Sequence, residues 1–306
     1  PDLVWIKKRT NEIESHRLTD VVRGTGVTLA SDFTGPDNSN SDRLTAFNSD
    51  GFSLGTETAV NKSGRDYVAW CWKAGGTAVS NTDGDITSSV SANTDAGFSI
   101  VGYASQGGNI NIGHGLNSAP EFMIVKARDH SINWAVYHKD AGNTGLLFLN
   151  TTTGFTTSAG AWNNTTPTNQ VFRVGGTSYT NGSGSEQGDY IAYCWHSVEG
   201  YSKFGKYTGN GVNNDGPFVY LGFRPALLVI RSLSGRPTMV YDSARNPTNP
   251  ADLKLYWNYN QFENQSDTIS TNIIDFLSNG FKLRHNSGQT NASGEEYVFM
   301  AWAEHP

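Results

Sequence analysis

The chain has 306 residues, a net charge of −6 and only 16% charged residues. The absence of any lysine- or arginine-rich run argues against a nucleic-acid partner, because phosphate recognition depends on clustered cations. No apolar stretch reaches the length of about 18 residues that a membrane span needs, so we expect no membrane insertion.

The first predicted elements lie in residues 1–76. The segment "PDLVWIKKR" (Pro1–Arg9) reads as a strand, "HRLTD" follows at His16, and "YVAWCWKAGG" (Tyr67–Gly76) closes the region. The sequence opens on the first strand without Met and without a leading hairpin. We therefore expect that the chain is cut from something longer, or that a partner chain supplies the strands that are absent.

Residues 77–306 return to the same landmarks twice. "PEFMIVKAR" begins at Pro120 and "PALLVIRSL" at Pro225, and each is preceded by a Gly- and Asn-rich hairpin signal. The three Tyr-initiated segments reach Trp72, Trp195 and Trp302 at the same offset. Self-similarity at a long period indicates repeated units. We predict three tandem repeats of roughly a hundred residues, at 1–76 (lacking its leading hairpin), 77–199 and 200–306.

Short apolar runs separated by turn residues predict an all-β fold. The repeats are expected to be three antiparallel β-sandwiches in a row, of jelly-roll or lectin-like type. In "YVAWCW" the alternation of a strand puts apolar residues on both faces, which predicts burial of both faces. One helix candidate is "TISTNIIDFLSNG" (Thr268–Gly280), with Ser and Thr near its start and Asn-Gly at its end.

The two cysteines occupy equivalent positions. Cys71 and Cys194 align with each other, and the third repeat has Ala301 there. A small apolar substitute indicates that the position is filled for packing, and free cysteine behaves as a small buried hydrophobe. We predict structural cysteines rather than a redox or zinc site.

The sequence offers no catalytic constellation. Glu295 and Glu296 are adjacent, so a strand would point them to opposite faces. The seven histidines have no metal-ligand spacing, and His114 and His196 read as surface or hydrogen-bonded residues. Asp-Gly turns explain "NTDGDITSS" and "NNDGPF" better than calcium binding does. We expect no enzyme, no metal and no cofactor.

Two loops carry candidate ligand-binding residues. "SAGAWNNTTPTN" is an insertion found only in the middle repeat, and it holds Trp162, Asn163 and Asn164. "LKLYWNYNQFENQ" holds Tyr256, Trp257 and Tyr259. Aromatic faces beside amides can stack on sugar rings and hydrogen-bond to them. We predict core packing for Trp257 and Tyr259, ligand contact for Tyr256, and an exposed contact for Trp162.

Three segments carry a family resemblance. "AGFSIVGYASQGG…IGHGLNSAPEFMIVKAR", "FGKYTGNGVNNDGPFVYLGFRPALLVIR" and "YVFMAWAEHP" resemble a module common in marine bacteriophage structural proteins. Such modules recur in tandem in long, tail-fibre-like virion proteins with lectin-like β-sandwich domains. The resemblance covers nearly the whole chain and implies no catalytic residue. The centre of the first repeat, "TGPDNSNSDRLTAF" (Thr34–Phe47), departs from the other two.

The resemblance implies a non-enzymatic virion protein, a fibre or appendage at the tail or capsid surface that attaches to the host. Its expected partners are copies of itself, with a trimer as the expected homo-oligomer, other virion proteins and a glycan of the host surface. One alternative is a carbohydrate-binding module or adhesin of an extracellular protein. A second alternative is a capsid decoration or spacer without a ligand. The sequence leaves these open.

Overall fold

A computed structural model describes residues 1–10, 12–264 and 273–305. The described chain is built of β-strands joined by turns, with helices of only three or four residues. The strands pair antiparallel, since every register between two named strands runs in opposite directions. The prediction of an all-β fold with antiparallel sheets is confirmed.

Residues 1–76 form a three-stranded sheet of order β2-β1-β7 with a second layer on one face. The elements are β1 (Leu3–Lys8), β2 (Arg17–Asp20), β3 (Val27–Thr28), β4 (Asn38–Ser39), β5 (Leu44–Phe47), β6 (Phe52–Leu54), α1 (Thr58–Asn61) and β7 (Tyr67–Trp72). Val4 and Ile6 of β1 pack with Leu44 of β5 and Val60 of α1. The β5–β6 hairpin and α1 therefore cover one face of β1.

Residues 77–199 contribute an eight-stranded sheet of order β15-β14-β13-β12-β17-β10-β9-β8. The elements are β8 (Val79–Asn81), β9 (Ser88–Asn93), β10 (Phe98–Ala104), β11 (Ile110–Gly113), β12 (Phe122–Ala127), β13 (Ala135–His138), β14 (Gly145–Phe148), β15 (Thr156–Thr157), α2 (Ala159–Trp162), β16 (Val171–Val174), a 3-10 helix (Gly184–Glu186) and β17 (Asp189–Trp195). Strands β11 and β16 form a separate pair, and their apolar residues share a core cluster with the large sheet. Two sheets thus face each other across an apolar layer, as in a β-sandwich.

Residues 200–305 repeat this layering with a five-stranded sheet of order β18-β25-β20-β21-β22 and a smaller sheet of order β19-β24-β23. The elements are β18 (Ser202–Thr208), β19 (Phe218–Tyr220), β20 (Leu227–Ser232), β21 (Met239–Asp242), β22 (Leu255–Tyr256), β23 (Ile274–Leu277), β24 (Gly280–Leu283) and β25 (Glu296–Trp302). The helix predicted at Thr268–Gly280 is wrong in its described part, because β23 pairs there with β24. Residues 268–272 lie outside the described residues.

The landmarks of the sequence occupy the same register in three places. The second residue after each leading Pro pairs with the closing Trp: Leu3 with Trp72, Phe122 with Trp195, and Leu227 with Trp302. The backbone N–H before each of these residues also donates to the carbonyl oxygen of that Trp, over 2.8, 2.7 and 2.7 Å. Side chains at corresponding positions after the leading Pro of the three segments therefore point to the same face of their sheets.

The three closing tryptophans meet in one core. The ring centroid of Trp72 lies 5.8 Å from that of Trp195 and 5.5 Å from that of Trp302, and the last two are 6.0 Å apart. Trp5 stacks on Trp257 with centroids 4.4 Å apart. Residues from 1–76, 77–199 and 200–305 belong to the same apolar cluster. The last segment therefore packs on the first, which differs from the expected linear row of sandwiches.

Polar contacts between the segments follow the same circular order. Each involves the last residue of a strand next to the leading strand: Asp20 accepts from the Tyr193 hydroxyl at 2.8 Å, His138 Nε2 lies 3.3 Å from the Phe299 carbonyl, and Asp242 accepts from Trp70 Nε1 at 3.1 Å. The first segment thus contacts the second, the second contacts the third, and the third contacts the first. Buried groups must be paired in this way because unpaired polar atoms in a core are costly.

Strand β7 differs from its two counterparts. Tyr190–Trp195 of β17 and Tyr297–Trp302 of β25 are fully buried, whereas Ala69 and Cys71 of β7 are exposed. Strands β17 and β25 have a neighbour on each side, but β7 is the last strand of its sheet. The prediction that both faces of "YVAWCW" are buried is therefore wrong. The prediction of a buried cysteine is confirmed for Cys194 and is wrong for Cys71, which is exposed.

Candidate functional site

Trp162 is not an exposed contact, so that prediction is wrong. Its side chain is 1% exposed and belongs to the core cluster of the second segment. The ring packs edge-on against Tyr137, with centroids 5.7 Å apart. Helix α2 turns Ala161 and Trp162 inward together, and the polar residues of the insertion remain outside. Trp162 therefore stabilises the insertion and offers no face to a ligand.

Asn163 and Asn164 form the turn that ends α2. Their φ values are 50° and 49°, in the left-handed region that asparagine tolerates better than most residues. The Asn163 carbonyl accepts from the Thr165 hydroxyl at 2.9 Å, and Asn164 is exposed. Turn formation explains both residues, and ligand binding by them stays a prediction.

Tyr256 lies in β22 and is 1% exposed, so its ring is not available for stacking on a sugar. It belongs to the core cluster of the third segment, whereas Trp162 belongs to that of the second. The two aromatic candidates therefore do not share a surface. Core packing is confirmed for Trp257, which is fully buried, and Tyr259 packs on the cluster while half-buried.

The histidine and carboxylate candidates are structural. His114 is buried, its Nε2 lies 3.1 Å from the Thr168 carbonyl, and its Nδ1 accepts from a backbone N–H. Burial lowers the pKa of His114 to about 4, so the ring is neutral near pH 7. Glu295 accepts from the Ser232 hydroxyl, and Glu296 pairs with Lys206. The described residues contain no group of three or more His, Cys, Asp or Glu that could hold a metal ion.

A cleft in the first segment was not anticipated from the sequence. It has a volume of about 310 Å³ and is rimmed by Phe33, whose side chain is 61% exposed. We call it the Phe33 cleft and define it by the residues Arg17, Thr28, Phe33, Asn38 and Arg43. Arg17 begins β2, Thr28 lies in β3, Asn38 lies in β4 and Arg43 directly precedes β5. Four separate elements therefore bring the polar groups to one place.

The two arginines of the Phe33 cleft are held in place yet keep free donors. Arg43 Nη1 donates to Asn38 Oδ1 at 2.6 Å and to the Thr28 hydroxyl. Arg17 Nη2 donates to Glu14 at 2.8 Å. The Nε–H groups of both arginines are buried without a hydrogen-bond partner among the described residues. Because these Nε atoms are themselves buried, a ligand in the cleft would meet the parts of the two side chains that remain exposed, 17% for Arg17 and 11% for Arg43.

The Phe33 cleft is lined by two arginines, Arg17 and Arg43, and by one carboxylate, Asp37, which is paired with Arg23 and Arg128. Burial lowers the pKa of Arg43 and the charge of nearby Arg17 lowers it further, whereas the charges of Glu57 and Glu14 raise it. Glu57 Oε2 lies 3.6 Å from Arg43 Nε, which is too far for a hydrogen bond. A carboxylate placed between the two guanidinium groups would relieve their repulsion, and guanidinium binds carboxylate in a matched geometry.

The loop that carries Phe33 is fixed at both ends. Trp134 Nε1 donates to the Phe33 carbonyl at 2.9 Å. Asp37 accepts from Arg23 at 3.1 Å and from Arg128 at 2.8 Å, so it ties the loop to the second segment. A rigid support lowers the entropy lost when a ligand binds. The one sequence signal for this cleft is that Thr34–Phe47 departs from the corresponding parts of the other two segments.

A second open cleft lies between the second and third segments. Its volume is about 570 Å³, and Tyr220 at its edge is 59% exposed. Lys203 Nζ sits 5.2 Å from the centre of the Tyr220 ring, and Lys139 pairs with Glu121 at 2.9 Å. A cation already covers the aromatic face here, so the Phe33 cleft is the better candidate site.

Comparisons with known proteins give a family but no activity. Within the described chain, no helix has the length and apolar character needed to cross a membrane. No curated protein and no solved structure matches the chain. A family model described as a domain of unknown function, DUF7483, matches residues 1–306. Because that match spans the whole chain, the protein belongs to the DUF7483 family.

Proposed function

We propose that the protein is a non-enzymatic structural protein of a bacteriophage virion, a fibre or appendage at the tail or capsid surface that attaches to a host glycan. The resemblance of its repeated segments to tail-fibre-like modules supports the virion role. The observation that carries the attachment role is the Phe33 cleft, where an exposed aromatic ring stands beside two arginines, Arg17 and Arg43. Binding residues often lie on loops over a rigid frame, which is the arrangement of this cleft.

The same proposal includes three tandem jelly-roll or lectin-like repeats, at 1–76, 77–199 and 200–306. The equal registers of the closing tryptophans and their mutual contacts support it. The contacts run from first to second to third and back to first, an order that a closed three-fold ring would have. One chain would then supply a frame that other proteins build from three subunits. Assembly of such chains into a homotrimer, together with other virion proteins, is part of this proposal.

The chemistry of the Phe33 cleft selects a class of glycan. An aromatic ring offers its face to the C–H groups of a sugar, and Asn38 and Thr28 line the cleft beside it. The arginine pair adds a preference for a carboxylate. The expected ligand is a host-surface saccharide that carries an acidic sugar.

A glycan array tests this function directly. We expect the full chain to bind carboxylate-bearing glycans and Phe33→Ala to lower that binding by about tenfold, which corresponds to about 1.4 kcal/mol. Arg43→Gln is expected to remove the preference for acidic over neutral glycans. Tyr220→Ala is the matched control, because Tyr220 is also an exposed aromatic at a cleft. Equal binding by the wild-type chain and Phe33→Ala would overturn the assignment of the cleft.

The Phe33 cleft is as consistent with the first alternative as with the virion role. That alternative is a carbohydrate-binding module or adhesin of an extracellular protein. Glycan binding by a chain that is absent from any particle would favour that alternative. A chain that lies on the particle and binds no glycan would favour the second alternative, a decoration or spacer without a ligand.

A further inference from the structure

The contact between the first and second segments carries four charged residues that form a connected chain of ion pairs. Arg23 Nε lies 2.6 Å from Asp20 Oδ2, and Arg23 Nη1 lies 3.1 Å from Asp37 Oδ1. Asp37 Oδ2 in turn accepts from Arg128 Nε of the second segment at 2.8 Å. We call such a set of two carboxylates and two arginines a charged quartet.

The contact between the third and first segments has a charged quartet of the same geometry. Arg245 lies 2.6 Å from Asp242 and 3.0 Å from Glu263, and Glu263 lies 3.0 Å from Arg9 of the first segment. In both quartets the backbone N–H of the central arginine also donates to the same aspartate at 2.9 Å. Breaking a buried ion pair is costly, so each quartet resists separation of its two segments.

The contact between the second and third segments has no charged quartet among its described residues. Backbone hydrogen bonds of one kind cross all three contacts and identify the corresponding residues: Asp37 N–H to the Arg128 carbonyl at 2.7 Å, Glu263 N–H to the Arg9 carbonyl at 2.9 Å, and Phe155 N–H to the Leu233 carbonyl at 2.8 Å. Phe155 and Leu233 therefore replace one carboxylate and one arginine of a quartet.

His138 takes the place of the other carboxylate. It is the last residue of β13 and pairs with the leading strand at the register that Asp20 and Asp242 have in their own sheets. Ala141, three positions after His138, replaces the central arginine. This contact therefore has an imidazole and apolar side chains where the other two contacts have ion pairs.

Packing at the contact of the second and third segments leaves a cavity of about 20 Å³, lined by His138, Met300, Phe122 and Val298 among others. Met300 lies two residues before the closing Trp, the position that Tyr193 and Trp70 occupy in the other two sheets. Its side chain is smaller than either aromatic ring and has no hydrogen-bond donor. A cavity of this volume has room for one water molecule, so this contact is less completely packed than a solid core.

The ring of His138 is neutral, and its two nitrogens have fixed roles. Nδ1 accepts from the Asp140 N–H at 3.2 Å, so the ring proton lies on Nε2, which is 3.3 Å from the Phe299 carbonyl of the third segment. A second proton would have to enter at Nδ1, where it would face the Asp140 N–H. Burial is the main cause that lowers the pKa of His138 to about 3; the hydrogen bond to Phe299 opposes it, and the charge of Lys139 adds to it.

Four charged residues adjoin the His138 ring. Lys139 and Asp140 follow it in the chain, Glu121 is paired with Lys139 at 2.9 Å, and Arg231 of β20 lines the same cavity. The side chain of Arg231 is buried as well. An imidazolium at this place would therefore share the cavity with a buried cation, which makes its charge costly.

His16 shows what differs at a contact that has a charged quartet. Its Nδ1 accepts from Trp5 Nε1, its Nε2 donates across the contact to the Tyr256 carbonyl at 2.8 Å, and burial lowers its pKa to about 4. The charge of Asp32 opposes that shift, and Trp5 stacks on Trp257 across the same contact. The third and first segments therefore keep other attachments when an imidazole between them is protonated.

We propose that protonation of His138 opens the contact between the second and third segments, while the two contacts with charged quartets stay closed. The circle of three segments then opens at one place, and the apolar walls of the cavity, among them Phe122, Leu149 and Val298, become exposed to solvent. This opening goes beyond the proposed glycan binding, because the cavity and the Phe33 cleft share no lining residue.

The direction of the pH dependence follows from the two states of the contact. In the closed state the pKa of His138 is about 3, and in the open state the ring takes its ordinary pKa of about 6.5. The open state therefore binds a proton that the closed state does not bind, so opening is favoured as the pH falls below about 6.5. The ratio of open to closed molecules should be about 25-fold higher at pH 5 than at pH 7.

Hydrogen exchange of the full chain at single-residue resolution tests this proposal. It follows one amide at each contact, Phe155, Asp37 and Glu263, whose N–H groups all donate to the neighbouring segment. Each rate is divided by the rate of an unstructured peptide at the same pH. Between pH 7 and pH 5 we expect the protection of Phe155 to fall by at least about tenfold and that of Asp37 and Glu263 by less than about threefold. Unchanged protection of Phe155, or an equal fall at all three amides, would overturn the proposal.

Two variants remove the titrating group in different ways. His138→Gln keeps a donor for the Phe299 carbonyl, and His138→Asn keeps an acceptor for the Asp140 N–H. We expect each variant that folds, as judged by circular dichroism, to protect Phe155 equally at pH 5 and pH 7. A loss of protection at pH 5 that persists in these variants would overturn the proposal, because another group would then cause it.

A second buried histidine provides the matched control. His114 is buried within the second segment, where its Nε2 lies 3.1 Å from the Thr168 carbonyl, and it does not line the cavity. We expect His114→Gln to keep the loss of protection at Phe155. The comparison of the three amides in the wild-type chain decides the question alone if neither variant of His138 folds.

Discussion

Replacement of Trp72 by alanine tests whether the three segments share one core. Trp72 is 4% exposed, and its ring centroid lies between 5.5 and 6.5 Å from those of Trp5, Phe98, Trp195 and Trp302. A buried tryptophan covers about 150–250 Å², which at about 25 cal/mol per Å² corresponds to about 4–6 kcal/mol. Since alanine keeps part of that burial, we expect Trp72→Ala to lower the free energy of unfolding by about 3–5 kcal/mol.

Urea unfolding followed by both tryptophan fluorescence and far-UV circular dichroism measures this change. A shared core predicts one transition in which the two signals coincide, and Trp72→Ala moves the whole transition to lower urea. Val79→Ala is the control, because Val79 is well exposed and its truncation should change stability by less than about 0.5 kcal/mol. A wild-type curve with separate transitions, of which Trp72→Ala shifts only one, would refute the shared core.

Three further predictions concern buried polar groups and the cysteines. Asp20→Asn removes the nearer of the two carboxylates that pair with buried Arg23, at 2.6 Å, and leaves Asp37 at 3.1 Å. Urea unfolding should therefore show a loss of about 3 kcal/mol, the lower end of the range for a broken buried ion pair, and a loss near zero would contradict the pairing. Burial lowers the pKa of His16 to about 4, so the unfolded chain gains a proton between pH 6.5 and 4 that the folded chain does not bind. Stability should therefore be full above pH 6.5 and fall toward pH 4, and a constant urea midpoint over that range would contradict the burial of this ring. Cys71 is exposed and Cys194 is buried. Desolvation of the Cys71 sulfur raises the pKa of this thiol to about 11. Mass spectrometry after iodoacetamide treatment should show alkylation of Cys71 that accelerates with pH, and of Cys194 only in urea; native labelling of Cys194 would be the contrary result.

Matched controls exist for each of these measurements. Asp50→Asn removes an exposed carboxylate and should leave stability unchanged. His305→Gln removes an exposed histidine and should leave the pH dependence unchanged. Cys71→Ser should abolish labelling of the native chain.

The fold class follows from local sequence, but the edges of its sheets do not. "YVAWCW" and "YIAYCW" are nearly the same segment, yet Ala69 and Cys71 are exposed while Ala192 and Cys194 are buried. The difference comes from β10, which lies beside β17 and has no described counterpart beside β7. Whether a strand is central or at an edge depends on residues distant in the sequence, and no local pattern contains that information.

The prediction of an exposed contact at Trp162 is wrong because the polarity of the residues next to it in the sequence does not determine whether its own side chain is buried. Trp162 stands among Ser, Asn and Thr, which suggested exposure, but one turn of helix directs its ring into the core. The Phe33 cleft was missed for the opposite reason. Its two arginines are 26 positions apart by their numbers, Arg17 and Arg43, and only the folding of β2, β3 and β4 brings them together.

The helix prediction at Thr268–Gly280 shows how weak a cap signal is alone. Its Asn-Gly pair does not end a helix: Ser278 and Asn279 form the turn between β23 and β24, and Gly280 is the first residue of β24, paired with Leu277. Asn and Gly are common both at helix ends and in hairpins, so the same dipeptide is compatible with both interpretations. The alternating burial of Ile274–Leu277 is the pattern that decides for a strand.

The most direct test of the proposed function is the location of the chain on a particle. Particles released by cells that carry the gene for this protein would be purified, labelled with gold-conjugated antibody against the chain and imaged by electron microscopy. The mass of the isolated chain in solution would be measured alongside. The virion role predicts label at the tail or capsid surface and a symmetric oligomer. A strictly monomeric chain that is absent from every particle would contradict it.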